Sequence, residues 1–142
     1  MQTPWIYNAA LSALFAGATA VIAKVGLAGV SSDLATLVRT AFVLVFLAIL
    51  CFAGRGMPTA DGLTTRTLFF LALSALTTAL SWLFYYRALQ AGPVAAVAAI
   101  DKGSLLVTTA LAAIFLGEAL TPRVAGGALL VAGGLWLMTV RA

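Results

Sequence analysis

The stretch PVAAVAAIDKGSLLVTTALAAIFL, residues 93–116, carries two charges, Asp101 and Lys102, in an otherwise small and apolar run. About 20 such residues in a helix, rising 1.5 Å each, cross a hydrocarbon core of about 30 Å. Gly92 breaks the chain before it, and Pro93 suits a first helical position, where its missing N–H costs nothing. Working outward, hydropathy predicts comparable helices over 4–26, 33–53, 66–89 and 121–140, which makes five transmembrane helices in a single domain covering residues 1–142. Gly29 with Ser31, Ser32 and Asp33 reads as a turn and helix start. Residues 55–62 form the longest polar connection, and residues 117–122 form a short one. Strands of a membrane barrel would alternate in polarity over about ten residues, and no such alternation occurs.

Composition agrees. Of 142 residues, 63% are hydrophobic and 8% charged, with a mean hydropathy of +1.13. Soluble domains are about 25% charged, so this chain lacks the polar surface to cover itself in water. It reads as an all-α, multi-pass protein whose solvent partner is the lipid bilayer. Eight Lys/Arg stand against four Asp/Glu, scattered singly, so no nucleic-acid surface is formed. The chain has no histidine and one cysteine, Cys51, read as a small packing residue. That removes the commonest general base and metal ligand. No enzyme, no metal and no cofactor is therefore expected. The first helix is read as a retained span, because no positive charge precedes it as in a secretory signal.

Five spans put the termini on opposite faces. Loop and terminal cations then divide evenly, Arg55, Arg66 and Arg123 on the N-terminal face against Lys24, Arg87 and Arg141 on the other. The positive-inside rule gives no orientation for such a chain. Insertion in both orientations, with two opposed copies forming an antiparallel dimer, is one explanation; a short chain with few charges is the other.

Charges inside a bilayer are expensive and usually functional. Arg39 is about 8 Å into the second span, and Asp101 and Lys102 are about 12–14 Å into the fourth. Lys24 and Arg87 end the first and third spans. All five fall in the same half of the bilayer. Asp101 is the only acid deep in a span. An isolated carboxyl in hydrocarbon takes up a proton, whereas a cation such as Arg39, Lys102 or Lys24 beside it keeps it ionised. Asp101 thus reads either as half of a structural ion pair or as part of a substrate or proton site. Polar stripes favour the second reading: Ser74, Thr78, Ser81 and Tyr85 on the third helix, Asp101, Ser104 and Thr108 on the fourth, and Asn8, Ser12 and Thr19 on the first. The competing account is that Ser and Thr bond back to their own helix. Trp82, Tyr85 and Tyr86 are near the charged half, either as interfacial aromatics or as a platform for an aromatic or cationic substrate.

The last helix contains VAGGALLVAGG, residues 124–134, with Gly126-Gly127 and Gly133-Gly134 seven residues apart. Such pairs make a groove where another backbone approaches closely, within the protomer or at a dimer seam. The dimer seam is the expectation here.

The stretch Arg87-Ala-Leu-Gln-Ala-Gly-Pro93, then Ile100-Asp-Lys102, then Phe115-Leu-Gly-Glu-Ala-Leu-Thr121 and the glycine-rich last helix resembles one EamA-type domain of the drug/metabolite transporter superfamily. Lys24 and Arg39 extend the resemblance into the N-terminal half. Most members carry two such domains as inverted repeats. The resemblance therefore implies a single-domain unit that needs a partner, with an antiparallel homodimer supplying the inverted symmetry. It also implies a secondary transporter, an exporter or exchanger of a small metabolite or drug-like solute, in a bacterial or archaeal inner membrane. The expected substrate or proton site comprises Asp101, Lys102, Arg39, Lys24, Ser81, Tyr85, Trp82 and Ser104. The expected dimer seam comprises Gly126, Gly127, Gly133 and Gly134. A non-transporting subunit paired with a second single-domain protein is the alternative. Glu118 is expected to be solvated at a helix end.

Overall fold

The computed structural model describes residues 3–55 and 62–140. Its helices are α1 (Thr3–Gly26), α2 (Ser32–Arg55), α3 (Thr65–Ala91), α4 (Val94–Lys102), α5 (Ser104–Phe115) and α6 (Pro122–Thr139). No strand occurs among the described residues. Five stretches are long and apolar enough to cross a membrane, the fourth being α4 and α5 together over Val94–Phe115. Large apolar side chains point outward along every span; Phe115 is 77% exposed and Leu130 80% exposed. In water such a surface would aggregate, whereas acyl chains solvate it. The apolar residues that are buried are few and mostly small, among them Ala20, Ala96, Val97, Ala99 and the fully enclosed Leu89. The polar connection at residues 56–61, the side chain of Arg55 and the cation Arg141 lie outside the described residues.

The chain divides into two compact units, residues 1–24 with 91–142, and residues 25–90. In the first unit α4 packs along α6, and the small residues Ala96, Val97 and Ala99 of α4 are buried. Close approach of this kind is what small residues permit between membrane helices. Lys24, at the end of α1, donates from Nζ to the Gly92 carbonyl at 3.1 Å, which ties α1 to the turn before α4. Thr121 caps α6, its Oγ1 accepting from the Val124 amide at 3.3 Å, with Pro122 in the first turn behind it. Gly117 has φ +69°, a conformation costly for any residue with a Cβ, and it turns the chain after α5. The Glu118 amide then reaches back to the Ala112 carbonyl at 3.3 Å.

The fourth span is present as expected over Val94–Phe115, with one tightened turn inside it. There α4 and α5 meet at Gly103. The Gly103 amide donates to the Ile100 carbonyl at 2.9 Å, and the Leu106 amide to the Gly103 carbonyl at 3.0 Å. These three-residue bonds tighten the turn, and ψ −21° at Gly103 departs from the α value in the same sense.

In the second unit, Ser31 starts α2: its Oγ accepts from the Leu34 amide at 3.4 Å and its carbonyl from the Ala35 amide at 2.9 Å. The α2 and α3 helices are joined at one end by long side chains. Gln90 Nε2 donates to the Val30 carbonyl at 2.8 Å, and Arg87 pairs with Asp33. Cys51 is exposed on α2, not packed as the sequence suggests. A thiol is apolar enough to face lipid, so an apolar neighbourhood does not distinguish the two positions.

Candidate functional site

Two polar assemblies lie within the spans, one in each unit. In the first unit the break at Gly103 directly follows Asp101 and Lys102. Lys102 Nζ stands 3.2 Å from Asp101 Oδ2, the lysine stem folding back toward the neighbouring carboxylate. The Asp101 side chain is 35% exposed and that of Lys102 62%, so the pair is accessible from outside the chain. Lys24 donates from its ammonium to the Gly92 carbonyl. Ser104 opens α5 just beyond the break and is exposed.

In the second unit a cleft of about 640 Å³ runs between α2 and α3. Asp33, Thr36 and Thr40 line it from α2, and Ser74, Thr78 and Trp82 from α3, among leucines and alanines. Asp33 is held by a two-pronged contact, Arg87 Nε to Oδ1 at 3.0 Å and Nη2 to Oδ2 at 2.9 Å. This fork geometry is the one arginine makes best with a carboxylate. Arg39 lies over the Trp82 ring at 4.2 Å from its centroid, and 5.8 Å from that of Tyr86. Its Nη1 is buried with no hydrogen-bond partner among the described residues.

The register explains these partners. α2 and α3 run antiparallel, so six residues forward from Asp33 matches five residues back from Arg87, and Arg39 meets Trp82. Equal rise per residue in both helices keeps this correspondence to within one residue. Asp33 is the residue that sequence reasoning passed over as a helix-start acid. The signal was present: the start of the second span and the end of the third lie on the same face.

The polar stripe expected on α3 separates. Ser74 and Thr78 line the cleft, whereas Ser81 and Tyr85 do not. Several hydroxyls bond back within their own helices: Thr78 and Thr77 to the Ser74 carbonyl at 2.9 and 2.8 Å, Thr19 to Phe15 at 2.8 Å, and Thr36 to Ser32 at 2.7 Å. For these the local account is the operative one.

The glycines of α6 make no close approach. A Cβ placed on Gly126, Gly127, Gly133 or Gly134 would meet nothing within 4 Å. The packing of α4 on α6 therefore uses other residues.

Five apolar spans and charged groups set inside them define a multi-pass membrane protein. Its sequence matches the family model of the EamA-like transporter family over residues 3–140, and the chain belongs to that family. It is 42% identical over 140 residues to a Sinorhizobium sp. protein named "Uncharacterized transporter in cobO 3'region", covering 99% of each chain. No solved structure matches it.

The Asp33–Arg87 fork yields a direct test. Asp33→Arg should lower the yield of folded protein in detergent by setting like charges opposite each other. Arg87→Asp in the same chain should restore it by recreating the fork in reverse. Monodispersity in gel filtration reads both, and a double variant no better than the single one would show that the fork does not join α2 to α3.

Proposed function

We propose that the protein is a secondary transporter of a small metabolite or drug-like solute, working by alternating access as an antiparallel homodimer in a prokaryotic inner membrane. Family membership supports the transporter class. The observation that carries the mechanism is the Asp101–Lys102 pair at an interruption of the fourth span. Ionisable residues inside a membrane span mark solute, ion or proton pathways, and the tightened turn at Gly103 sets this pair beside a local change in helix geometry. Both side chains are partly exposed, so Lys102 can release Asp101 to a proton. Asp101 is accordingly the coupling carboxylate, and export or exchange driven by protons is the activity.

The dimer draws support from two features. Cations divide evenly between the faces, which favours insertion in both orientations. No other described helix packs within 4 Å of a Cβ at the glycines of α6, which leaves that face open to a second α6. Opposed copies give the inverted symmetry that alternating access uses.

Proteoliposomes carrying the full chain, with an imposed pH gradient and a panel of radiolabelled metabolites, test the coupling. Asp101→Asn should remove the pH dependence of uptake while leaving oligomeric state and helicity unchanged. Retention of the normal pH profile in that variant would remove Asp101 from the mechanism.

A further inference from the structure

We propose that the α2–α3 cleft binds an amphipathic organic anion, selected by the positive charge of Arg39 acting through the Trp82 ring. This names the substrate class and, to that extent, rests on the transporter reading above. The cleft, at about 640 Å³, is within the range that encloses a small organic ligand. Its lining is mostly leucine and alanine, with Thr36, Thr40, Ser74 and Thr78 as neutral polar groups and Trp82 as the aromatic wall.

Charge decides the sign of the guest. Asp33 is the acid on the lining, and both of its carboxylate oxygens are taken by Arg87. That pair is neutral as a whole. Arg39 has no acid partner among the described residues, and its Nη1 lacks an acceptor. The assembly around the cleft therefore carries one uncompensated positive charge. In a medium of low dielectric constant that field reaches well beyond contact distance.

The indole adds to the discrimination. An aromatic face attracts a cation through its negative quadrupole. Arg39 already lies over Trp82, and more distantly over Tyr86. The ring's attraction is thus directed to a cation of the chain itself, and a second cation in the cleft would meet both a depleted ring and a like charge. An anion with an aromatic or branched apolar body meets neither penalty. The stacking of a cationic substrate on these aromatics, one option in the sequence, is the option this arrangement disfavours. Arg39 does not line the cleft. It is a positioning residue, acting through Trp82 and through its charge.

Two ions of the same shape and opposite charge, tetraphenylborate and tetraphenylphosphonium, isolate this effect. Full-length protein bearing Trp5→Phe and Trp136→Phe, in nonionic detergent, leaves Trp82 as the fluorescent reporter. Tetraphenylborate should quench it with at least about tenfold higher affinity than tetraphenylphosphonium. Arg39→Gln should bring the two affinities to within about threefold, and Arg39→Lys should preserve the preference, because charge and not shape sets it. A merely structural role for Arg39 would weaken both probes alike. Equal affinities in the unsubstituted-Arg39 protein, tighter phosphonium binding, or a preference unchanged in Arg39→Gln would overturn the proposal. Competition identifies the source of the natural anion. Displacement of tetraphenylborate by 2-naphthoate alone indicates a soluble solute, and displacement by phosphatidylglycerol but not phosphatidylcholine indicates a lipid headgroup. Displacement by neither counts against the site. Uptake assays separate this from the transporter reading: anion binding without flux strikes that reading alone, and flux without charge-selective binding strikes this one alone.

Discussion

Gly103→Ala is expected to destabilise the protein by about 1–3 kcal/mol, even though alanine is the better helix former. Helix propensity taken alone favours alanine by about 1 kcal/mol at an interior position. At Gly103 the added methyl would lie 2.8 Å from the Ile100 carbonyl oxygen and 3.6 Å from Leu135 Cδ1. The first contact is with backbone and cannot be relieved by a rotamer change. The turn after Lys102 must open, which disturbs the setting of Asp101, whereas Leu135 at 3.6 Å is in ordinary van der Waals contact and need not move. The sign of the effect is thus diagnostic. Gly17→Ala in α1 is the matched control, since a Cβ there meets nothing within 4 Å, and it should be neutral or slightly stabilising. Unfolding in a denaturing detergent titration, followed by far-ultraviolet circular dichroism, compares the two. A Gly103→Ala protein as stable as the Gly17→Ala protein would mean that the interruption is not enforced by sterics. The same variant should transport poorly, because the ion pair and the break are adjacent in the chain.

The helices themselves were legible in the sequence because hydropathy integrates over a whole span. Each predicted end agrees with the structure to within two residues, as at residue 26 after the first span and Thr65 before the third. Gly, Pro and Ser at the junctions act locally, and local signals survive without knowledge of the neighbours. The interruption at Gly103 was not legible for the converse reason. A glycine inside an apolar helix is tolerated at modest cost, so its presence alone does not announce a break. The neighbour that an added Cβ at Gly103 would touch, Leu135, comes from a helix more than 30 residues on, and no window over the fourth span contains that information.

The site was legible in its residue types and less so in its pairings. Arg39, Asp101 and Lys102 stand out in a single sequence because ionisable groups inside apolar spans are rare. Which groups meet depends on helix register. Asp101 was expected beside Lys24 or Arg39 as readily as beside Lys102; the ion pair formed is the one to its neighbour in sequence, which the long lysine stem makes possible. Trp82 and Tyr86, candidates for stacking an aromatic or cationic substrate, have the Arg39 guanidinium over their rings. An antiparallel hairpin with its closing ion pair at Asp33 and Arg87 would have given this contact by counting residues from either end. The acid needed for that count, Asp33, is near the start of the second span, where a helix-start role accounts for it equally well in the sequence alone.

Gly127→Leu combined with Gly134→Leu is expected to convert a dimer to a monomer while leaving the protomer folded. The two glycines are seven residues apart on α6, close to two turns, so they present one face. Among the described residues, and apart from the backbone of α6 itself, no atom lies within 4 Å of a Cβ at either position, so two leucines can be added without displacing another described helix of the same protomer. In lipid alone they would be harmless, because leucine is as apolar as the acyl chains it would touch. Their cost appears only if a second backbone packs against this face, where two isobutyl groups would hold the helices apart by several ångströms and remove the close van der Waals contact that drives membrane-helix association. The double variant therefore separates a seam between protomers from an idle small-residue face. Crosslinking in native membranes and light scattering in detergent should both report loss of the dimer, with helicity and thermal stability of the monomer retained. Unchanged dimerisation would move the seam to another helix and leave the open glycine face of α6 to lipid. Loss of folding in place of loss of dimer would mean that α6 packs within the protomer through these glycines, against the open space found around them.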